Sequence, residues 1–136
     1  MKPIHTKKLE PGVALITGGA KRIGKKIAKN LARDGWKVVI HYNKNNIAAK
    51  KLKSEIIKSK GSAEIIKCDL NNYSSVKNLI EKSKKKFGSL SLLINNASKF
   101  ENDSIATLNI DSWDSHNNIN LKAPLFLSKD FSKQMQ

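Results

Sequence analysis

Four short apolar runs recur along the chain, and each is followed by a stretch of helical spacing. The first, VALIT at 13–17, ends in Gly18–Gly19 and reads as a buried strand running into a turn. Beyond the turn, Ile23, Ile27, Ala28 and Leu31 fall three and four apart, and Gly35 stops the helix they predict. WKVVIHY at 36–42 is the second predicted strand. The helix after it, over 45–61, carries Ile47, Leu52 and Ile56 and stops at Gly61. AEIIKCDL at 63–70 is the third strand. It precedes a helix over 74–88 with Val76, Leu79, Ile80 and Phe87 on one side and Gly88 at its end. LSLLINNA at 90–97 is the fourth strand, followed by a polar loop. Residues 111–136 then read as one long helix kinked at Pro124.

Strands and helices that alternate with short connections predict a parallel sheet with helices on both faces. The strands are continuous apolar runs, as a sheet covered on both sides requires. The expected fold class is α/β, a doubly wound, Rossmann-like parallel sheet, truncated after about four strands and four helices. Residues 1–11 read as a polar leader and 12–136 as a dinucleotide-binding domain, incomplete at its C-terminus. The fourth strand has no encoded outer neighbour, and the chain ends in helical texture, so a fragment of a longer protein is expected.

Composition narrows the function. The net charge of +15 raises nucleic acid as a partner. Its texture argues against that reading. Arginine, the side chain suited to bidentate phosphate and base contacts, occurs only as Arg22 and Arg33. The lysines are spread over helical stretches and are not interleaved with aromatics, so they read as solvated helix faces. No apolar run spans a bilayer, the N-terminus lacks a secretory h-region, and Cys68 is alone, so no internal disulfide forms. A cytoplasmic protein without membrane or nucleic-acid partners is expected. The three histidines lack the clustering of a metal site.

The turn TGGAKRIGKK at 17–26 carries the functional signal. Parallel strands aim their C-terminal ends at one edge, and a helix starting there offers N–H groups and its dipole to an anion. Gly18 allows the tight turn, and Gly24 allows the helix to pack closely. After the second strand, where an acid would hold the ribose hydroxyls of NAD, no acid occurs from Trp36 to Asn46. Lys44 stands there, with Arg22 in the turn. Two cations facing that ribose favour a 2′-phosphate, hence NADP(H) over NAD. Asp69, at the end of the third strand, can accept from an adenine amino group or cap the segment after it. Asn95–Ala97 end the fourth strand, where a cofactor ribose would lie.

These residues together resemble the classical short-chain dehydrogenase/reductase family. TGGAKRIG looks like its glycine turn, CDL its adenine contact, NNA its fourth-strand signature, and WDSHNNINLKAP its fourth helix. Arg22 in place of the middle glycine, together with HYNK and NNASKF, resembles the pteridine reductase branch. The resemblance implies an NADPH-dependent oxidoreductase that reduces a pterin-like C=N bond or a small ketone. It implies cofactor contacts at Gly18, Arg22, Ile23, Gly24, Tyr42, Asn43, Lys44, Asp69, Leu70, Asn96, Ala97 and Ser98. Phe100 would cover the pterin, its other reading being a core aromatic beneath the loop. Asn120 would belong to the catalytic set, its other reading being a bond to neighbouring backbone beside Pro124. Homo-oligomers, dimers or tetramers, are implied for the full-length protein.

The family's tyrosine and lysine, spaced Tyr-x-x-x-Lys, would follow the fourth helix. The one such spacing here, Tyr73 to Lys77, opens the helix after the third strand, on the adenine side. It is rejected as the catalytic pair. The 136-residue chain is therefore expected to bind NADPH weakly without turnover. A non-catalytic NADP(H)-binding module is the alternative.

Overall fold

The computed structural model describes residues 9–135, so residues 1–8 of the expected leader lie outside the described residues. Strand β1 (Val13–Ile16) leads to helix α1 (Arg22–Arg33), and β2 (Lys37–Tyr42) to α2 (Asn46–Lys58). Strand β3 (Ser62–Lys67) precedes α3 (Tyr73–Val76) and α4 (Leu79–Phe87). Strand β4 (Leu92–Ile94) is followed by α5 (Ile110–Asn117), a π-helical turn (Asn118–Lys122) and α6 (Ala123–Lys133). The sheet is wholly parallel in the order β3-β2-β1-β4. The chain therefore winds outward from β1 to β3, then crosses back to set β4 on the other side of β1. That reversal opens a crevice beyond the strand ends.

Each strand alternates its side chains between two cores. Val13 and Leu15 of β1 and Val39 of β2 face one, with Leu79 and Ile80 of α4 and Leu127 of α6. Ala14 and Ile16 of β1 and Val38 and Ile40 of β2 face the other, with Ala28 of α1 and Leu52 and Ile56 of α2. Leu15, Ile16 and Ile40 are fully buried, each contributing roughly 1.5–3 kcal/mol on leaving water. Apolar residues on both faces of one strand explain why the runs are continuous in sequence.

Three expectations are corrected. Ile23 and Ile47 share helical spacing with core residues yet are 70% and 83% exposed. Both sit in the first turn of their helices, ahead of the first buried residue, Gly24 in α1 and Ala49 in α2. The helix expected over 74–88 is broken at Lys77–Asn78. There the Asn78 side-chain amide donates to the Ser74 carbonyl at 3.4 Å, competing with the backbone ladder. The long C-terminal helix begins at Ile110, capped by Asn109 accepting from the Ser112 N–H, and its irregularity precedes Pro124 as the π-helical turn. Pro124 supplies no N–H to the turn before it, and the ladder widens there.

Candidate functional site

The C-terminal ends of β1, β2 and β4 surround a cavity of about 540 Å³, lined by Lys21, Arg22, Ile23, Leu70, Ser98 and Ile119 among others. A recess of about 310 Å³ adjoins it and is lined by Tyr42, Lys44 and Asn45. Gly18, Lys21, His41 and Asn43 line both, so the two form one groove. These volumes fall in the range of small-molecule sites, roughly 300–1,000 Å³. A larger cavity of about 850 Å³ lies between α1 and α2. Glu55 on its wall is held by Lys25 and Lys29, both 3.2 Å from Oε2, and these hydrogen bonds keep the Glu55 carboxyl below its usual range. That cavity borders the N-terminal ends of β2 and β3 through Gly35 and Gly61 and no C-terminal strand end, so the candidate site is the groove.

The glycine turn is built as a cradle. Gly18 adopts φ +61°, the left-handed region that glycine enters at least cost. A Cβ at Gly24 would overlap the Gly18 carbonyl oxygen, so α1 crosses the turn in direct backbone contact. Lys21 at the N-cap of α1 makes no capping side-chain bond, which leaves the first N–H groups of the helix open to the groove. Arg22 begins the helix at φ +47°, a conformation most residues avoid. A glycine there would relax that strain; Arg22 instead lines both the groove and the larger cavity between α1 and α2.

Electrostatically the groove is one-sided. Lys21, Arg22 and Lys44 line it, no aspartate or glutamate does, and none of the three cations makes an ion pair among the described residues. Asp69 stands outside the lining. Its Oδ1 accepts from the Asn71 N–H at 2.9 Å and from the Asn43 side chain at 3.5 Å.

A polar lattice joins β1 to β4. The buried Thr17 hydroxyl accepts from the Asn96 and Ala97 N–H groups, both at 3.0 Å, and donates to the Ile94 carbonyl at 3.4 Å. The Asn96 side chain donates to the Thr17 and Gly18 carbonyls at 3.0 and 3.1 Å. Asn96 thus locks the turn as well as lining the groove. The segment after β4 is fastened from the other side. Asn120 accepts from the Lys99 N–H at 2.7 Å and donates to the Lys99 carbonyl at 2.8 Å. His116 of α5 accepts from the Glu101 N–H at 3.1 Å. Phe100, between these tethers, is 82% exposed and is no core aromatic. It does not line the groove.

His41 is buried beneath the turn. Its Nδ1 accepts from the Gly18 N–H at 3.0 Å, and its Nε2 lies 2.9 Å from the Cys68 carbonyl. Burial lowers its pKa from the usual histidine value, opposed by the Cys68 hydrogen bond and the Asp69 charge. Burial, aided by the Asp69 charge, pushes the Cys68 thiol up to about 11. Tyr73 packs edge-on against Phe126, with Lys122 over its ring, and neither Tyr73 nor Lys77 lines the groove.

The family model for short chain dehydrogenases matches residues 12–136. The chain belongs to the short chain dehydrogenase family. It is 32% identical over 123 residues to a 3-oxoacyl-(acyl-carrier-protein) reductase of Synechocystis, covering 90% of this chain and 50% of that protein. Its fold matches that of FolM alternative dihydrofolate reductase 1 from Brucella canis, solved in complex with NADP. That match has a TM-score of 0.85 and 35% identity over 93% of this chain and 50% of the other. A short-chain dehydrogenase from Burkholderia cenocepacia, also solved with NADP, gives 0.84 and 34% over 88% and 49%. The chain spans about half the length of these short-chain dehydrogenase relatives.

Of the residues expected at the site, all but Asp69, Phe100 and Asn120 line the groove. Sequence reasoning missed Thr17, Lys21 and Ile119 as site-building residues and read His41, at a strand end, only as a packed or cofactor-edge residue. Lys21 was legible as a second cation in the turn. The partners of Thr17 and His41 lie more than twenty residues away and leave no local signal.

Proposed function

We propose that this protein is an NADPH-dependent short-chain oxidoreductase that reduces a pterin-like or carbonyl substrate. The observation that carries the reading is the acid-free groove walled by Lys21, Arg22 and Lys44 at an uncapped helix N-terminus. Its donors suit phosphates: open N–H groups and the α1 dipole for a pyrophosphate, and Arg22 and Lys44 for a 2′-phosphate. Tyr42 and Asn43 would flank that phosphate, Ile23 and Leu70 would cover the adenosine, and Asn96, Ala97 and Ser98 would meet the ribose and pyrophosphate. Bound NADPH would supply the hydride. The chain's own residues bind and orient. Asn120 holds the Ser98–Phe100 segment through Lys99, and Phe100 lies exposed where a flat substrate could stack. The relatives solved with NADP support the cofactor, and FolM supports the pteridine-type branch. A cytoplasmic, homo-oligomeric protein completes the reading.

A second reading, a non-catalytic NADP(H)-binding module, is favoured by one observation. The one Tyr-x-x-x-Lys spacing in the given sequence, Tyr73 to Lys77, lines no part of the groove.

Calorimetric titration with NADPH and NADH tests the cofactor. The unsubstituted chain should prefer NADPH, and the Arg22→Ala, Lys44→Ala double variant should lose at least tenfold for NADPH with little change for NADH. Equal losses for both would overturn the preference. Loss of NADPH absorbance with a pterin or ketone, assayed on a longer chain that carries a Tyr-x-x-x-Lys pair after α6, separates the readings. Binding without turnover is expected of these 136 residues. Turnover by the same residues would exclude the binding module.

A further inference from the structure

His41 is the buried group that the functional reading leaves unused. It lies at the end of β2 with 2% of its surface exposed, yet both ring nitrogens are engaged. Nδ1 faces the Gly18 N–H, a donor, and Nε2 faces the Cys68 carbonyl, an acceptor. Only one protonation state satisfies both: a neutral ring carrying its proton on Nε2. A second proton, on Nδ1, would point a donor at a donor and break the bond that holds Gly18 at φ +61°.

We propose that neutral His41 is a positioning residue for the cofactor turn, and that its protonation loosens the turn and weakens dinucleotide binding. Gly18 lines both parts of the groove, and its carbonyl is the floor against which Gly24 and the Asn96 side chain pack. A displaced Gly18 therefore moves the helix N-terminus that faces the phosphates. The groups around the ring set the balance. Lys21 from the turn and Lys44 from the β2 end share its recess and disfavour a further positive charge. Asp69 beyond β3 favours one, while the Cys68 thiol remains neutral. Burial lowers the pKa, in agreement with the geometry.

The inference rests on the groove binding NADP(H), so the test separates the two claims. The probe is acid-stable NADP⁺, titrated by calorimetry at a series of pH values against the unsubstituted chain and His41→Asn. The asparagine carbonyl reproduces the Nδ1 acceptor and does not titrate. The 2′-phosphate titrates too, near pH 6, but identically for both proteins. On acidification the unsubstituted chain should lose roughly fivefold to tenfold more affinity than His41→Asn, the loss of about one hydrogen bond. An identical pH profile for both, or affinity that rises on acidification relative to the variant, would overturn the proposal. The latter would mean that an imidazolium simply attracts the phosphates. A ligand-free readout accompanies it: the protection of the Gly18 amide against exchange, taken relative to the intrinsic rate at each pH, should fall on acidification in the unsubstituted chain and less so in His41→Asn. If the exchange responds while NADP⁺ binds at no pH, the histidine claim stands and the cofactor reading fails. An exchange rate indifferent to the substitution overturns the histidine claim whatever binds. Should His41→Asn fail to fold, the ring nitrogen shifts of the unsubstituted chain decide: a protonated Nδ1 at neutral pH overturns the proposal.

Discussion

Arg22 occupies a backbone position that suits glycine and carries a charge that suits phosphate. Its φ of +47° costs an L-residue roughly 1–2 kcal/mol, while glycine there would lose about 0.5–1 kcal/mol through its looser unfolded chain. Arg22→Gly is therefore expected to leave stability unchanged or raise it by up to about 1.5 kcal/mol, read as the urea midpoint. The same variant should bind NADPH at least tenfold more weakly. A variant that loses both stability and binding would show that the guanidinium supports the fold. The strain at Arg22 could not be read from its neighbours in sequence. The cluster of positive charge between glycines could, because both signals are local.

Among the elements, the segment after β4 is the one most dependent on a single contact. Lys99 is held by both ends of the Asn120 amide, and Glu101 by His116, so α5 and the π-helical turn together position Ser98 and Phe100. Asn120→Ala removes two exposed hydrogen bonds, each worth about 0.5–1.5 kcal/mol net. Global stability should fall by about 1–3 kcal/mol, and exchange of the Lys99 amide and proteolysis at 98–104 should accelerate at least tenfold. Unchanged loop exchange would remove the tether. Sequence patterning located α1, α2 and the four strands because each buries a periodic face. It erred at Ile23 and Ile47, since spacing alone does not say where along a helix the buried face begins. It also joined α3 to α4, because the break arises from one asparagine bonding back to the chain.

Two properties belong to the molecule as a whole. The first is acid sensitivity. His41 is neutral in the fold, with a pKa depressed below the 6.5 of an unfolded chain. Above pH 6.5 neither state is charged and the fold keeps its full stability. As pH falls below 6.5 and through the lower folded value, the unfolded chain takes up a proton that the fold resists, and stability falls. Thermal midpoints from pH 8 to pH 5 should therefore drop more for the unsubstituted chain than for His41→Asn. The second is self-association. Ile105, Ile110, Trp113, Leu121 and Leu125 are 95%, 71%, 56%, 64% and 62% exposed along the loop, α5, the π-helical turn and α6. Exposed apolar residues concentrated on one set of elements favour association. Sedimentation should show mass rising with concentration, and Leu125→Glu should shift it toward monomer. A chain that stays monomeric at high concentration would count against the oligomeric reading. Among the described residues no helix is long and apolar enough to cross a membrane.

The order of strands and helices, the glycine turn that opens α1 and the cations that line the groove could all be read from the amino-acid sequence. Periodicity, glycine placement and the absence of acids are written in neighbouring residues. The crevice itself, the locking of the turn by Thr17, Asn96 and His41, and the tethering of Lys99 by Asn120 emerged only in three dimensions. Their partners lie 21 to 80 residues apart, and a hydrogen bond between distant residues depends on the path of the chain between them.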